Sequence, residues 1–139
     1  MSHSFTQLYV HLVWTTRRRL PLILPEIEER LYSVILGKCR DLECHVLALG
    51  GVEDHVHLFV QFPSKLAIAK LMKNVKGASS HFVNHEIPDA ERFEWQAGYG
   101  AFTVSKRSTE MVMDYVRNQK QRHKENQLID ELEETHDEA

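Results

Sequence analysis

The sequence predicts an α+β fold in which a four-stranded antiparallel sheet carries two helices on one face. Two observations lead to this prediction. Strand-like runs of β-branched and aromatic residues alternate with longer runs whose apolar residues recur at helical spacing. Their order, strand-helix-strand-strand-helix-strand, is that of the split β-α-β-β-α-β motif. The length of 139 residues suits a single domain.

The first four elements come from the amino-terminal half of the chain. Residues 5–15 (FTQLYVHLVWT) are rich in strand-favouring types and predict a strand. Residues 26–42 place apolar side chains at helical spacing and predict an amphipathic helix. Residues 44–50 and 55–62 predict two further strands, joined as a hairpin by a turn at Gly50-Gly51.

The remaining elements complete the motif and add one helix to it. Residues 65–85 predict a second amphipathic helix with Ser64 as its amino-terminal cap. A last strand is expected near residues 99–104, and residues 109–124 predict a final helix. Because the final helix lies outside the six-element motif, we expect it to pack on the sheet or on its edge.

Charge divides the chain into two parts. The whole chain has 17 basic and 20 acidic residues and a net charge of −3. Residues 125–139 contain seven acids and neither lysine nor arginine, which leaves 13 acids (20 − 7) and a net charge of +4 on residues 1–124. We therefore predict a folded domain over residues 1–124 and an acidic tail over residues 125–139 that is disordered or partly helical.

Composition excludes several classes of protein. No apolar run approaches the roughly 18 residues of a membrane-spanning helix, and residues 1–5 lack the pattern of a secretory signal. Two cysteines are too few for a disulfide framework or a four-cysteine zinc site. We expect a reduced, cytoplasmic protein.

Basic residues are concentrated at two places. Lys70, Lys73 and Lys76 share the face of the second predicted helix that lies opposite its apolar residues, and three consecutive arginines follow the first strand: Arg17, Arg18 and Arg19. Taken alone, the lysine face is more typical of an ordinary solvated surface. The alternative is a surface that binds the phosphates of a nucleic acid.

A pair of histidines opens the third predicted strand. Alternation along a strand places His55 and His57 on the same face, where two imidazoles are available to one metal ion. Asp54 precedes them and is a candidate either to orient an imidazole or to cap the turn. Two histidines at this spacing also occur without a metal, so the pair alone decides little.

The final helix adds a tyrosine to these histidines. Tyr115 and Gln119 lie one helical turn apart, and His123 follows one turn later. A tyrosine hydroxyl is a candidate nucleophile, and a glutamine oxygen is a candidate ligand for the ion held by the histidines. The combination indicates metal-assisted cleavage of a phosphodiester through a phosphotyrosine intermediate.

Four stretches, in this order and spacing, resemble one known family. GGVEDHVHLFVQF (residues 50–62) is similar to the histidine strand of HUH endonucleases. VMDYVRNQKQRH (residues 112–123) is similar to the tyrosine helix of small single-tyrosine transposases of bacterial insertion sequences (the transposase-A type) and of their REP-associated branch. NVKGASSHF (residues 74–82) and YVHLVWTTRRR (residues 9–19) resemble further stretches of these proteins. Glu53 replaces an expected proline, and the acidic tail is not typical of the family.

The resemblance implies a ferredoxin-like domain that cleaves and rejoins single-stranded DNA to excise and insert a mobile element in a bacterial or archaeal cytoplasm. It implies that Tyr115 is the nucleophile and that Mg²⁺ or Mn²⁺ is held by His55, His57 and Gln119. The implied DNA partner carries a hairpin near the cleavage position. The implied assembly is a homodimer with joined sheets. Two arrangements of its site stay open: the tyrosine helix acts in its own subunit, or it completes the site of the other.

The residues themselves leave three other interpretations of the function open. A nucleic-acid-binding module of the same fold would use neither the tyrosine nor the histidines. A metal-dependent phosphoesterase would use water in place of Tyr115. A domesticated relative would keep the fold and the site residues without mobility. His123 as a general base, Asp54 as an orienting residue and DNA contacts by the lysine face and the three arginines are further expectations.

Overall fold

Eight helices and strands form the fold in the computed structural model, which describes residues 4–88 and 90–135. The strands are β1 (Leu8–Thr15), β2 (His45–Val52), β3 (His55–Phe62) and β4 (Gly100–Val104), and the helices are α1 (Pro25–Asp41), α2 (Ile68–Glu86), α3 (Thr109–Arg117) and α4 (Gln119–Lys124). Short 3-10 turns lie at Arg17–Arg19, Lys106–Ser108 and Asp130–Leu132. No helix in the described ranges is long and apolar enough to cross a membrane.

The strand order is β2-β3-β1-β4, and every neighbouring pair is antiparallel. This order is the one that the split β-α-β-β-α-β motif produces, so the predicted α+β fold is confirmed. Strand β1 lies between β3 and β4, and its residues Val13 and Thr15 stand opposite His57 and His55. The histidine pair belongs to β3, which lies between β2 and β1 and is therefore an interior strand.

The two faces of the sheet pack against different helices. Val56 and Leu58 face one side of β3 and pack with α1 and α2 in the main apolar core. Phe59 and Ala48 face the other side and pack against α3 in a smaller cluster. Because successive residues of a strand point to opposite faces, His57 lies on the face that α3 covers. The extra helix predicted from the sequence is thus the element placed over the histidines.

A glycine sets the distance between α3 and the sheet. A Cβ atom built on Gly50 would lie 2.1 Å from the backbone oxygen of Val116. Any side chain at this position would push α3 away from β2. Lys120 supports the next turn, because its ammonium donates to the carbonyl of Gly51 at 3.1 Å. The helix that carries Tyr115 is therefore fixed closely against the sheet.

Three local predictions need correction. Gly50 and Gly51 belong to strand β2, and the hairpin turn lies at Glu53 and Asp54. Helix α2 begins at Ile68 with Ala67 at its amino-terminal cap, without a side-chain cap, so Ser64 does not start the helix. The predicted helix over residues 109–124 is interrupted at Asn118, whose backbone angles are φ −105° and ψ 29°. The Asn118 side chain donates to the carbonyl of Asp114 at 2.8 Å, which competes with continuation of the helical ladder.

The acidic tail, for which the composition predicts disorder or partial helix, contains a chain reversal and the 3-10 turn at Asp130–Leu132 in its described part, residues 125–135. Asn126 has a left-handed φ of 55°, and the Gln127 amide donates to the Arg122 carbonyl at 2.7 Å, so the chain turns back after α4. A Cβ atom built on Gly100 would lie 2.1 Å from the carbonyl oxygen of Glu134. The tail therefore returns to the sheet and lies against the start of β4. Residues 136–139 lie outside the described residues.

Candidate active site

His55 and His57 form the centre of a buried polar cluster on the α3-covered face. Both imidazoles are buried, with ring centroids 5.1 Å apart. Asp54 lies 2.7 Å from Nδ1 of His55, which leaves Nε2 of His55 directed into the cluster. Asp54 therefore contacts one of the two imidazoles that it was a candidate to orient.

His11 is a member of this cluster that the sequence reading missed. Its Nε2 lies 2.8 Å from Nδ1 of His57, and both residues are fully buried. Nδ1 of His11 has no hydrogen-bond partner within the described residues. The signal was available, because alternation puts His11 and Val13 on one face of β1 and an antiparallel partner strand brings a histidine of β3 diagonally opposite.

Tyr115 projects from α3 toward the histidines of its own chain. Its ring centroid lies 5.8 Å from that of His57, in an edge-on arrangement. The side chain has no exposed surface. Its hydroxyl donates to Glu133 and accepts from the Ile129 amide at 3.0 Å. The guanidinium of Arg122 covers the ring at 4.7 Å from its centroid.

Gln119 and His123 complete the group on the helix side. The Gln119 amide nitrogen donates to the Tyr115 carbonyl at 3.1 Å, so the two residues share one face despite the interruption at Asn118. The Gln119 amide oxygen accepts from Nε2 of His123 at 3.0 Å. The His123 ring lies 4.7 Å from that of His55, centroid to centroid. Every predicted site residue on β3, α3 and α4 is therefore in one cluster.

Glu133 is the second residue that sequence reasoning missed, because it is one of seven acids in a tail with no pattern. Both of its carboxylate oxygens lie 3.2 Å from Nε2 of His57. One of them lies 3.3 Å from Nε2 of His55 and 3.8 Å from Nε2 of His123. A single carboxylate from the tail thus faces three imidazoles and the tyrosine hydroxyl.

Burial and these neighbours shift the ionisation of the cluster. Burial would lower the pKa of His55, but the hydrogen bond to Asp54 and the nearby Glu133 carboxylate raise it to about 9. Burial and the hydrogen bond to Glu133 raise the pKa of Tyr115 to about 12. Burial would raise the pKa of Glu133, but its contacts with His55 and His57 hold it well below the usual range. The carboxylate is ionised and the tyrosine keeps its proton.

The donor atoms fit a divalent metal ion. Ligand atoms of His55, His57 and Glu133 all lie within 4.8 Å of one another. Nε2 of His55 is buried, and the Glu133 oxygen at 3.3 Å does not form a well-aligned hydrogen bond with it. A buried nitrogen without a partner is costly unless a ligand uses it. Imidazole nitrogen with carboxylate or amide oxygen is a set that Mn²⁺ and Mg²⁺ accept.

The predicted DNA contacts divide into three groups. Lys70 and Lys73 line an open groove on the outer face of α2, across the sheet from Tyr115. Lys76 donates to two backbone carbonyls, at 2.7 and 2.9 Å, and holds the loop before β4. Arg17 forms an ion pair with Glu94.

The other two arginines lie beside the histidine end of the site. Arg18 and Arg19 have left-handed φ angles of 56° and 54°. Burial would raise the pKa of Asp54, but the hydrogen bond to His55 and the charges of His55 and Arg19 lower it. Thr16, next to this run, donates its amide to the Asp54 carbonyl at 2.8 Å. Arg19 is thus a predicted contact whose charge reaches the Asp54 carboxyl beside His55.

Comparison with known proteins gives a consistent result. The family model for IS200-like transposases matches residues 4–119. The transposases for insertion sequence element IS200 from Salmonella typhimurium and Salmonella typhi are each 24% identical over 124 residues, which cover 86% of this chain and 81% of theirs.

Two solved structures share the fold. A putative transposase from Deinococcus radiodurans superposes with a TM-score of 0.66 at 24% identity, covering 86% of this chain and 95% of that one. A REP-associated tyrosine transposase bound to a REP hairpin superposes with a TM-score of 0.67 at 14% identity, covering 92% of this chain and 74% of that one.

Proposed function

Because this chain belongs to the IS200-like transposase family, we propose that it cleaves and rejoins single-stranded DNA with Tyr115 as its nucleophile. One observation carries this proposal: the hydroxyl of Tyr115 shares a single carboxylate partner with the imidazoles of His55 and His57. A nucleophile and a candidate metal site are therefore close enough to act on one phosphate group. The biological outcome is excision and insertion of a mobile element.

The proposed reaction exchanges one phosphodiester for another. The Tyr115 oxygen attacks the scissile phosphorus in line and loses its proton to solvent. The bond from phosphorus to the 3′ oxygen breaks, and that oxygen takes a proton and leaves as a 3′-hydroxyl. The 5′ phosphate remains on the tyrosine as a phosphodiester. Attack by another 3′-hydroxyl reverses the step and rejoins DNA without ATP.

The proposed metal ligands are Nε2 of His55, Nε2 of His57 and the amide oxygen of Gln119. When bound, Mg²⁺ or Mn²⁺ supplies Lewis-acid polarisation of the scissile phosphate. Asp54 and His11 hold the imidazoles in orientation from behind. His123 contacts the Gln119 oxygen, which favours a role in aiming the amide rather than the role of general base.

The substrate we propose is single-stranded DNA with a hairpin near the cleavage position. The solved relative bound to a REP hairpin supports this choice. Arg18 and Arg19 are proposed phosphate contacts beside the histidines, and Lys70 and Lys73 are proposed contacts for a more distant part of the DNA.

We further propose a homodimer formed through a sheet edge, since β2 and β4 are the terminal strands. Because Tyr115 reaches the histidines of its own chain, we propose that this conformation acts in cis. Sedimentation of the purified chain tests the dimer.

The test of the proposed function uses Tyr115→Phe with labelled single-stranded DNA from the flanks of the reading frame. With Mn²⁺, the unaltered chain is expected to form a covalent DNA adduct that survives denaturation, and the variant to bind DNA without forming one. Removal of metal with EDTA should abolish the adduct while DNA binding persists. Metal-dependent hydrolysis with no trapped adduct would instead identify a phosphoesterase that uses water. An adduct in the Tyr115→Phe variant would place the nucleophile elsewhere.

A further inference from the structure

The acidic tail covers the residue that the proposed reaction needs most. Tyr115 has no exposed surface, and both hydrogen bonds of its hydroxyl go to the tail, one to the Glu133 carboxylate and one from the Ile129 amide. In-line attack requires a phosphorus atom within about 3–3.5 Å of the tyrosine oxygen. The Glu133 carboxylate fills the space beside that oxygen. In this conformation, a DNA phosphate has no access to Tyr115.

Glu133 also has the chemistry of the group that it excludes. A carboxylate and a phosphodiester are both oxyanions that accept hydrogen bonds from imidazoles and bind divalent metals. The oxygens of Glu133 lie 3.2 Å from Nε2 of His57 and 3.3 Å from Nε2 of His55. These are the nitrogens that the proposed function directs at the metal and the scissile phosphate. The carboxylate therefore stands where a phosphate oxygen would be used.

Several features hold the tail in this position. The reversal at Asn126 uses a left-handed residue, and the Arg122 side chain donates to the Gln127 carbonyl at 3.2 Å. The 3-10 turn at Asp130–Leu132 then directs Glu133 inward. Gly100 accommodates the Glu134 carbonyl, because its Cβ would lie 2.1 Å from that oxygen. Backbone conformation therefore fixes the tail where it leaves α4 and where it reaches Gly100, in addition to the charge of Glu133.

We propose that residues 125–135 form an autoinhibitory strap in which the Glu133 carboxylate occupies the position of the scissile phosphate. Single-stranded DNA must displace this strap before Tyr115 can react. The inference rests on the proposed function, because the position of the phosphate follows from Tyr115 as nucleophile. The strap lowers the affinity for DNA and keeps the free protein inactive until a strand binds well enough to replace it.

The test compares Glu133→Gln and a chain ending at Lys124 with the matched control Asp130→Asn/Glu131→Gln. The control removes two charges from the same segment at exposed positions. The first readout is the affinity for a fluorescent mixed-sequence single-stranded oligonucleotide in EDTA at fixed salt. The second is nitration of Tyr115 by tetranitromethane, mapped by mass spectrometry, with Tyr9, Tyr32 and Tyr99 as internal references.

We expect Glu133→Gln and the shortened chain to bind the oligonucleotide about tenfold more tightly and to expose Tyr115 to nitration. We expect little change in either readout for the control. An equal gain in affinity for the control would reduce the effect to general repulsion between the tail and DNA, and would overturn the strap. Unchanged protection of Tyr115 in the shortened chain would overturn it as well.

Binding of Mn²⁺ in the absence of DNA separates the strap from a different role for Glu133. The strap predicts that Glu133→Gln retains Mn²⁺ binding, because His55, His57 and Gln119 remain. A loss of Mn²⁺ affinity of tenfold or more without tighter DNA binding would identify Glu133 as a metal ligand and overturn the proposal. Neither affinity nor nitration requires cleavage, so failure of the proposed reaction and failure of the strap are distinguishable.

Discussion

His11 and His57 lie in direct contact inside the sheet, with Nε2 of His11 at 2.8 Å from Nδ1 of His57 and their rings stacked at 13°. Nε2 of His57 is left facing Glu133 and Tyr115, so the contact determines which nitrogen the site can use. Burial, with a further contribution from the charge of His57, lowers the pKa of His11 to about 3. His11 is therefore a neutral partner that turns the His57 ring toward the site.

We predict that His11→Leu weakens Mn²⁺ binding by about 10-fold or more, as is usual when the partner of a metal-binding histidine is lost. Calorimetric titration with Mn²⁺ measures this directly. His11→Gln, which keeps a hydrogen-bonding group, should recover part of the affinity. The exposed His45→Gln should leave it unchanged. Equal Mn²⁺ affinity in His11→Leu and the unaltered chain would show that His11 only fills space.

Gly50→Ala should destabilise the domain and displace the tyrosine helix. The new Cβ would lie 2.1 Å from the Val116 carbonyl oxygen, and overpacking of this kind costs about 1–3 kcal/mol. The midpoint temperature of thermal unfolding and the yield of DNA adduct should both fall. The matched control is Gly77→Ala on α2, where a Cβ meets no atom within 4 Å. Because alanine favours a helix over glycine by about 0.5–1 kcal/mol, the control should be slightly more stable. A Gly50→Ala variant as stable as this control would contradict the close approach of α3.

Substitution of the lysines of α2 should show that Lys76 stabilises the fold and that Lys70 and Lys73 bind DNA. Lys76→Met removes the donor to the Gln96 and Gly98 carbonyls and should lower the free energy of unfolding by about 1–3 kcal/mol. Lys70→Gln and Lys73→Gln should leave unfolding unchanged and weaken DNA binding at low salt. Each should reduce the slope of log affinity against log salt by about 1. Unaltered slopes in both variants would remove the outer face of α2 from the DNA interface.

Local patterns were sufficient for the fold and for most of the site. Alternation along β3 predicted that His55 and His57 share a face, and the helical repeat predicted the approach of Gln119 to Tyr115; both arrangements are present in the structure. These inferences succeeded because the residues involved are close in sequence. The order of strands followed from the order of elements, since connections in such folds are short.

The two missed residues depend on contacts that no local pattern encodes. His11 and His57 are 46 positions apart in sequence, and only the register in which β1 pairs with β3 brings them together. Glu133 reaches the site through a chain reversal at Asn126 and a turn at Asp130–Leu132, in a segment whose composition is typical of disorder. Composition predicts the average behaviour of such a tail, but it does not predict that one carboxylate of the tail contacts three imidazoles.

The most direct measurement of the central claim identifies which end of the broken strand remains on the protein. A single-stranded oligonucleotide from the flank of the reading frame is labelled at its 5′ end in one sample and at its 3′ end in another, then incubated with the chain and Mn²⁺. Attack by Tyr115 on the 5′ phosphate predicts that the 3′-labelled fragment migrates with the protein and that the 5′-labelled fragment is released. Peptide mapping should locate the nucleotide on Tyr115. Retention of the 5′-labelled fragment, or an adduct on any other residue, would contradict the account.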